Sequence, residues 1–290
     1  MFTGVYTAIV TPFRDDGEID LDAFRDLINL QSEAGVDGIV PVGTTGESPT
    51  LDFEEHSQVI AASVDAAAGR LKVIAGTGGN ATSEALRLTS DARDAGADGT
   101  LQVTPYYNKP NQEGLFRHFS AVADLGLPVV LYNIPGRTSR EISLETVTRL
   151  AAHPNIVAIK EAGGGGDRVR ETRSLCDIAI LSGDDDLTLE MMEAGASGVI
   201  SVASNVAPRQ VCELVRAAGE GQWDKARNLH NRLMPLFSAL FSDTNPIPVK
   251  AALSMQGRIR ETYRLPLCEM ADDLREELRN VLVAQGLVTS

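Results

Sequence analysis

The sequence predicts an α/β protein, a parallel (β/α)₈ TIM barrel followed by a C-terminal helical extension. Three observations carry the prediction. Short apolar runs alternate with amphipathic stretches through about residue 220, giving eight strand candidates. One helix-to-strand junction recurs, as EAGVDGIVPVGT (33–44), DAGADGTLQVTP (94–105) and EAGASGVISVAS (193–204). Beyond residue 220 the pattern becomes wholly helical. A doubly wound open sheet would also alternate strands and helices. Three copies of one junction favour a barrel of repeated units.

The strands are expected at 5–11, 38–42, 71–75, 100–103, 129–133, 156–161, 178–182 and 199–202, each a short apolar run rich in β-branched residues. Between them, DLDAFRDLINLQSEAG (20–35) and SEALRLTSDARDAG (83–96) carry apolar residues at helical spacing. In the recurring junction the first glycine suits a left-handed helix C-cap, and the run after the second is a strand. In the extension, DKARNLHNRLMPLFSALF (224–241) places Leu229, Leu233, Leu236, Phe237, Leu240 and Phe241 on one face, with Pro235 expected to kink it. NPIPVKAALSMQG (245–257) opens a second helix on prolines, and EMADDLREELRNVLVAQG (269–286) is a third. The boundaries expected are 1–223 for the catalytic barrel and 224–290 for the extension, which either makes a subunit contact or covers apolar surface.

The bulk properties narrow the function. With 290 residues, 43% of them hydrophobic, the chain can bury a substantial core. No apolar run is long enough to span a membrane. The N-terminus lacks the basic region and cleavage site of a signal peptide and is read as mature protein. A net charge of −14 argues against nucleic acid and anionic membranes as partners. Three widely spaced cysteines, Cys176, Cys212 and Cys268, make neither a zinc motif nor a disulfide framework, which fits a reducing cytoplasm.

Barrel active sites sit at the C-terminal ends of the strands. There the sequence places Thr44, Thr45, Gly46 and Glu47 after strand two, and Tyr106 and Tyr107 after strand four. Tyr132, Asn133 and Arg137 follow strand five, and Lys160 and Glu161 end strand six in NIVAIKEA (155–162). The chain has five lysines against twenty-one arginines, so a lysine ending an apolar strand needs a reason. Ile156, Ala158 and Lys160 share one face by the two-residue period. An enclosed ammonium loses hydration and its pKa falls, and a neutral amine can attack a ketone to form an imine. The competing reading pairs Lys160 with Glu161 or Glu47 at a strand rim. Lys72, at the start of strand three, needs no function.

Each neighbour also has two readings. Tyr132 is a general acid/base or a packed strand-end aromatic. Thr44 and Thr45, with Gly46 beside them, hold a carboxylate, or Thr45 or Ser48 caps a helix. Arg137 grips a second carboxylate or is a solvated loop arginine. GGGG (163–166) lacks the spacing of a nucleotide-binding loop and is expected to let backbone pass close to the pocket. Asp185 and Asp186 in SGDDD are expected to start the next helix rather than hold Mg²⁺. His56, His118, His153 and His230 form no metal motif, and no serine–histidine triad stands out.

Taken in order, GTTGES, TPYYNKP, YNIPGRT, IKEA, SGDD, GVISV and NPIPVK resemble the dihydrodipicolinate synthase family, within the pyruvate-dependent class I aldolases. The resemblance covers nearly the whole chain. It implies a (β/α)₈ barrel, a lyase that needs no cofactor, and condensation of pyruvate with L-aspartate 4-semialdehyde in the diaminopimelate route to lysine. By motif, Lys160 matches the imine-forming lysine, Tyr132 the proton-transferring tyrosine and Thr44 the relay threonine. Tyr107 matches a relay tyrosine supplied by a neighbouring subunit, and a homotetramer is common in the family. Thr45 matches a pyruvate-carboxylate contact, Arg137 the arginine for the aldehyde's carboxylate, and Gly183 and Ile200 backbone contributors to the pocket. Ser48, His56, Asn80, Glu84 and Tyr106 match a site where L-lysine inhibits family enzymes, although Pro49 and Phe53 depart from its usual alanine and histidine. N-acetylneuraminate lyase and keto-deoxy sugar-acid aldolases share the lysine and tyrosine but take polyhydroxylated aldehydes, for which Arg137 is a poor match. A non-catalytic binder and a metal-dependent aldolase are the remaining alternatives.

Overall fold

The computed structural model describes residues 2–289. Eight parallel strands close into a barrel in chain order: β1 (Gly4–Ala8), β2 (Gly38–Val40), β3 (Lys72–Gly76), β4 (Gly99–Val103), β5 (Val129–Asn133), β6 (Ile156–Glu161), β7 (Ala179–Ser182) and β8 (Gly198–Ser201). The closed ring excludes the open sheet. Around it lie α1 (Leu21–Ala34), α2 (Phe53–Ala67), α3 (Thr82–Asp94), α4 (Gln112–Ala123), a helical turn α5 (Pro135–Thr138), α6 (Leu144–Ala151), α7 (Gly166–Leu175), α8 (Thr188–Glu193) and α9 (Pro208–Gly219). The extension is α10 (Trp223–Ala239), α11 (Ile247–Met255) and α12 (Asp272–Ala284).

Local chemistry sets these elements. Asp20 caps α1, its carboxylate accepting from Ala23 N at 3.1 Å. The helix then buries Phe24, Leu27, Ile28 and Gln31, one stripe at spacings of three and four. Asp52 and Glu55 form a reciprocal capping box on α2, so neither Thr45 nor Ser48 caps it. The three recurring junctions fold alike: Gly35, Gly96 and Gly195 take positive φ of 81°, 91° and 110°.

Two apolar clusters result. The larger fills the layer between strands and helices and includes Phe13, Phe24, Phe119 and Phe237. The smaller fills the barrel interior with Tyr6, Val40, Ile74, Leu101, Val130, Tyr132, Ala158, Leu181 and Ile200. Each fully buried large side chain contributes roughly 1.5–3 kcal/mol. Strand β6 departs from simple alternation. Its register against β5 shifts, Val129 facing Ile156 but Val130 facing Ala158. Ile156 therefore joins the outer cluster while Ala158 joins the inner one, so the two do not share a face as the two-residue period predicts.

The extension packs on α8 and α9 and runs over the strand ends. Helix α10 continues through Pro235. Leu233, Leu236, Phe237 and Leu240 are buried as expected, but Phe241 is 46% exposed. No helix among the described residues is long and apolar enough to cross a membrane.

Candidate active site

Lys160 ends β6 inside the barrel mouth, between Tyr132 of β5 and Leu181 of β7. Its side chain is 6% exposed. The ammonium lies 4.3 Å from the centroid of the Tyr132 ring. Both carboxylates that could have paired with it are engaged elsewhere. Glu161 points to the outer layer, where its Oε1 accepts from Asn133 Nδ2 and from Gly163 N, each at 2.7 Å, and its Oε2 faces Arg168 at 3.4 Å. Burial raises the Glu161 pKa, and the Asn133 donor and Arg168 oppose it. Glu47 is bound to Lys250. The rim-salt-bridge reading of Lys160 therefore fails on geometry.

Lys160 opens into a cavity of about 40 Å³. Thr44, Thr45, Tyr132, Arg137, Gly183 and Ile200 line it with Lys160. An adjoining space of about 180 Å³ shares Thr44, Tyr132 and Arg137 and continues past Leu101 and Val103 to Ser48 and Tyr106. The tight turn GTTGE presents the two threonines. Gly46 N donates to Gly43 O and Glu47 N to Thr44 O, both at 3.1 Å, and Thr11 Oγ1 donates to Gly46 O at 2.7 Å. Thr45 Oγ1 accepts from Asn245 Nδ2 at 3.0 Å, and the Asn245 carbonyl accepts from Arg137 Nη2 at 3.1 Å. Arg137 therefore sits on the helical turn α5 with one guanidinium nitrogen held by Asn245, while the residue as a whole stays exposed at the cavity mouth.

Gly183 has no room for a side chain. A Cβ there would lie 2.6 Å from Ala162 Cβ and 3.1 Å from Lys160 Cε, so any substituent would press on the lysine stem. The following carboxylates divide. Asp184 lines the cavity; burial raises its pKa, and the Lys160 charge opposes that. Asp185 does not begin a helix, since α8 starts at Thr188. It is buried, accepting from Ser201 Oγ at 2.5 Å, Val202 N at 3.0 Å and Ala203 N at 2.9 Å, and so ties the ends of β7 and β8 together. The four-glycine run does not approach the pocket. A Cβ on Gly163 would strike the buried Asn133 Nδ2 at 2.7 Å and one on Gly165 would strike Oε1 of the exposed Glu190 at 2.8 Å, so the run wraps against outer-layer side chains.

Tyr107 is not brought into the cavity. It is 91% exposed and holds a positive φ of 69° on the β4–α4 loop. The five residues matched to the lysine site gather loosely around the β3–α3 loop. Glu84 lies against Gly79 and near enough to Tyr106 to help burial raise the phenol's pKa. Asn80 O accepts from Asn108 Nδ2 at 2.8 Å. Ser48 and Tyr106 face the larger cavity, but His56 is buried with Nε2 2.9 Å from Gly76 O. Phe53 packs under the Arg87 guanidinium, 4.4 Å from ring centroid to Cζ. Among the described residues no cluster of three or more His, Cys, Asp or Glu could hold a metal ion.

Three cavity-lining residues escaped sequence reasoning, Asp184, Phe241 and Asn245, as did Lys250, which lies behind the cavity against Glu47. Phe241 and Asn245 line the cavity from the extension. The available signal was a lysine set among apolar residues in PVKAAL, where a fully buried ammonium demands a buried anion.

The sequence model of the Dihydrodipicolinate synthetase family matches residues 1–285. The 4-hydroxy-tetrahydrodipicolinate synthase of Syntrophus aciditrophicus (strain SB) is 53% identical over 291 aligned positions, 99% of this chain and all of that one. The crystal structure of dihydrodipicolinate synthase from Aquifex aeolicus superposes with a TM-score of 0.98 at 51% identity and full coverage of both chains. The chloride-inhibited dihydrodipicolinate synthase from Acinetobacter baumannii, complexed with pyruvate, superposes with a TM-score of 0.97 at 45% identity over 99% of this chain and all of that one.

Proposed function

The chain belongs to the dihydrodipicolinate synthetase family, and from that premise we propose that it condenses pyruvate with L-aspartate 4-semialdehyde, the 4-hydroxy-tetrahydrodipicolinate synthase reaction, through an imine on Lys160. The observation that carries the site assignment is a buried lysine with no salt-bridged carboxylate among the described residues, set beside a tyrosine and sharing one cavity with an arginine.

The proposed steps use the residues gathered at the cavity. The neutral Lys160 amine attacks the keto carbon of pyruvate, and the oxygen leaves as water. Tyr132, on the neighbouring strand, moves the protons that this exchange requires, in relay with Thr44. The protonated imine withdraws electrons, and loss of a methyl proton gives an enamine. Its carbon attacks the aldehyde carbon, forming the C–C bond as the aldehyde oxygen takes a proton. Thr45 and the backbone N–H groups of its turn receive the pyruvate carboxylate, and Arg137 receives the aldehyde's carboxylate. Gly183 leaves the lysine stem free, and Ile200 forms the wall below. A sugar-acid aldolase would use the same imine, but a cation at Arg137 fits a short carboxylated aldehyde better than a polyol.

The test is trapping. Incubation with pyruvate followed by borohydride is expected to add the mass of a reduced pyruvyl group to the peptide carrying Lys160. Unmodified Lys160 in folded protein with pyruvate in excess would remove the imine mechanism.

Two further assignments concern the assembly. Tyr107 is assigned the relay role in a neighbouring subunit of a homotetramer, a reading supported by its exposure outside its own cavity. Ser48, His56, Asn80, Glu84 and Tyr106 border a cleft for L-lysine, weakened by Pro49 and by Phe53, which is occupied with Arg87. Sedimentation velocity with activity assays, with and without millimolar lysine, addresses both. An oligomer that lysine partly inhibits is expected; a fully active monomer indifferent to lysine would sink both. Three free cysteines fit a reducing cytoplasm. The extension belongs to the catalytic unit, because it lines the cavity.

A further inference from the structure

We infer that Glu47 and Lys250 are a positioning pair that fixes the Thr44–Thr45 turn, so that pyruvate binding depends on a salt bridge lying outside the cavity. Both side chains are completely buried, and Lys250 Nζ donates to Glu47 Oε1. The ammonium lies 4.3 Å from the centroid of Phe13 and 5.2 Å from that of Tyr263, and the Arg264 backbone N faces Glu47 Oε2 at 3.4 Å. Neither residue lines the cavity, so neither touches substrate.

A buried ion pair is a poor source of net stability, because desolvation offsets the attraction. What it supplies is a fixed distance between two segments. Here the segments are the substrate turn and the start of α11. Glu47 lies two residues after Thr45 and holds a positive φ of 55°, closing the turn through its N–H on Thr44 O. Besides the local Thr50 hydroxyl on the Glu47 carbonyl, three side chains from distant segments anchor the turn: Thr11 on the Gly46 carbonyl, Asn245 on the Thr45 hydroxyl, and Lys250 on Glu47. Two of the three come from one short segment, 245–250, which also receives Arg137 through the Asn245 carbonyl. Loss of the Lys250 anchor leaves Thr11 and Asn245 as the only distant anchors of the turn and loosens its Glu47 end, while the Asn245 carbonyl still holds Arg137.

The inference rests on the reading that Thr45 and its turn receive the pyruvate carboxylate. It is tested with the double variant Glu47→Gln, Lys250→Gln, which leaves no unpaired buried charge, and with Glu47→Asp, which keeps both charges and alters only the reach. Competent sites are counted by borohydride trapping at saturating pyruvate, and KM is measured for each substrate. The expected result is a tenfold or greater rise in the KM for pyruvate in the double variant and a smaller rise in Glu47→Asp. The KM for the aldehyde should change less than twofold and trapping should be complete. An unchanged KM for pyruvate in either folded variant overturns the inference, as does a parallel rise in both KM values, which marks general loosening. If the double variant does not fold, Glu47→Asp decides. Failure of the unaltered protein to trap pyruvate overturns the functional reading and this inference with it.

Discussion

Lys160→Arg abolishes the borohydride-trapped adduct and lowers kcat at least about a thousandfold, equivalent to about 4 kcal/mol of barrier. The substitution keeps a positive charge over the Tyr132 ring and roughly keeps the volume, so the barrel mouth should survive. It removes the one property the mechanism needs. A guanidinium cannot shed its proton in this pH range and has no free pair for the keto carbon. A lysine amine can do both, and among the described residues no carboxylate is salt-bridged to Lys160. Peptide mapping of the trapped protein checks the first half and steady-state rates the second. A folded arginine variant that retains a tenth of the activity would show that the reaction does not pass through this nitrogen.

Arg137→Ala separates the two substrates. Pyruvate should still be trapped on Lys160, because the carboxylate contacts at the GTTGE turn are untouched. The kcat/KM for the aldehyde should fall roughly a hundred- to a thousandfold. Two charge-assisted hydrogen bonds at about 1.5–3 kcal/mol each set the scale, and partial replacement by water reduces it. Arg137→Lys keeps a cation but loses the planar fork, and should recover only part of the loss. If alanine costs less than threefold with the carboxylated aldehyde, that substrate does not lie against Arg137 and a neutral polyol becomes the better reading.

Much of this was legible in the sequence because it is local. Strand positions followed from apolar runs bounded by turns, and β5 and β6 fall where the pattern places them. The junction glycines were readable because a left-handed cap needs glycine, and all three take that conformation. Lys160, Tyr132, Thr44, Thr45 and Arg137 were readable because a barrel collects its strand ends at one mouth. What escaped is long-range. The Glu47–Lys250 pair joins residues 203 positions apart, and Asn245 reaches Thr45 across 200. No periodicity in either segment encodes such a meeting. Asp185 differs from expectation because a carboxylate before a helix usually serves that helix, whereas this one caps the chain leaving β8. Ile156 differs because a register shift is invisible to a strict period of two.

The anchoring of the substrate turn by Asn245 and Lys250 bears on the order in which the chain is synthesised. A ribosome has delivered all eight strands by Ser201, yet two of the turn's three distant anchors and the carbonyl that receives Arg137 are still to come. Domains fold as units, so a unit whose contacts span residues 11 to 250 is complete only late in synthesis. On the proposed site assignment, the segment carrying Lys160 is made well before the Asn245 and Lys250 contacts that hold the threonine turn and Arg137. A chain ending after β8 would carry Lys160 without the Asn245 and Lys250 contacts to the Thr45 turn and Arg137, and on the proposed assignment it should be inactive.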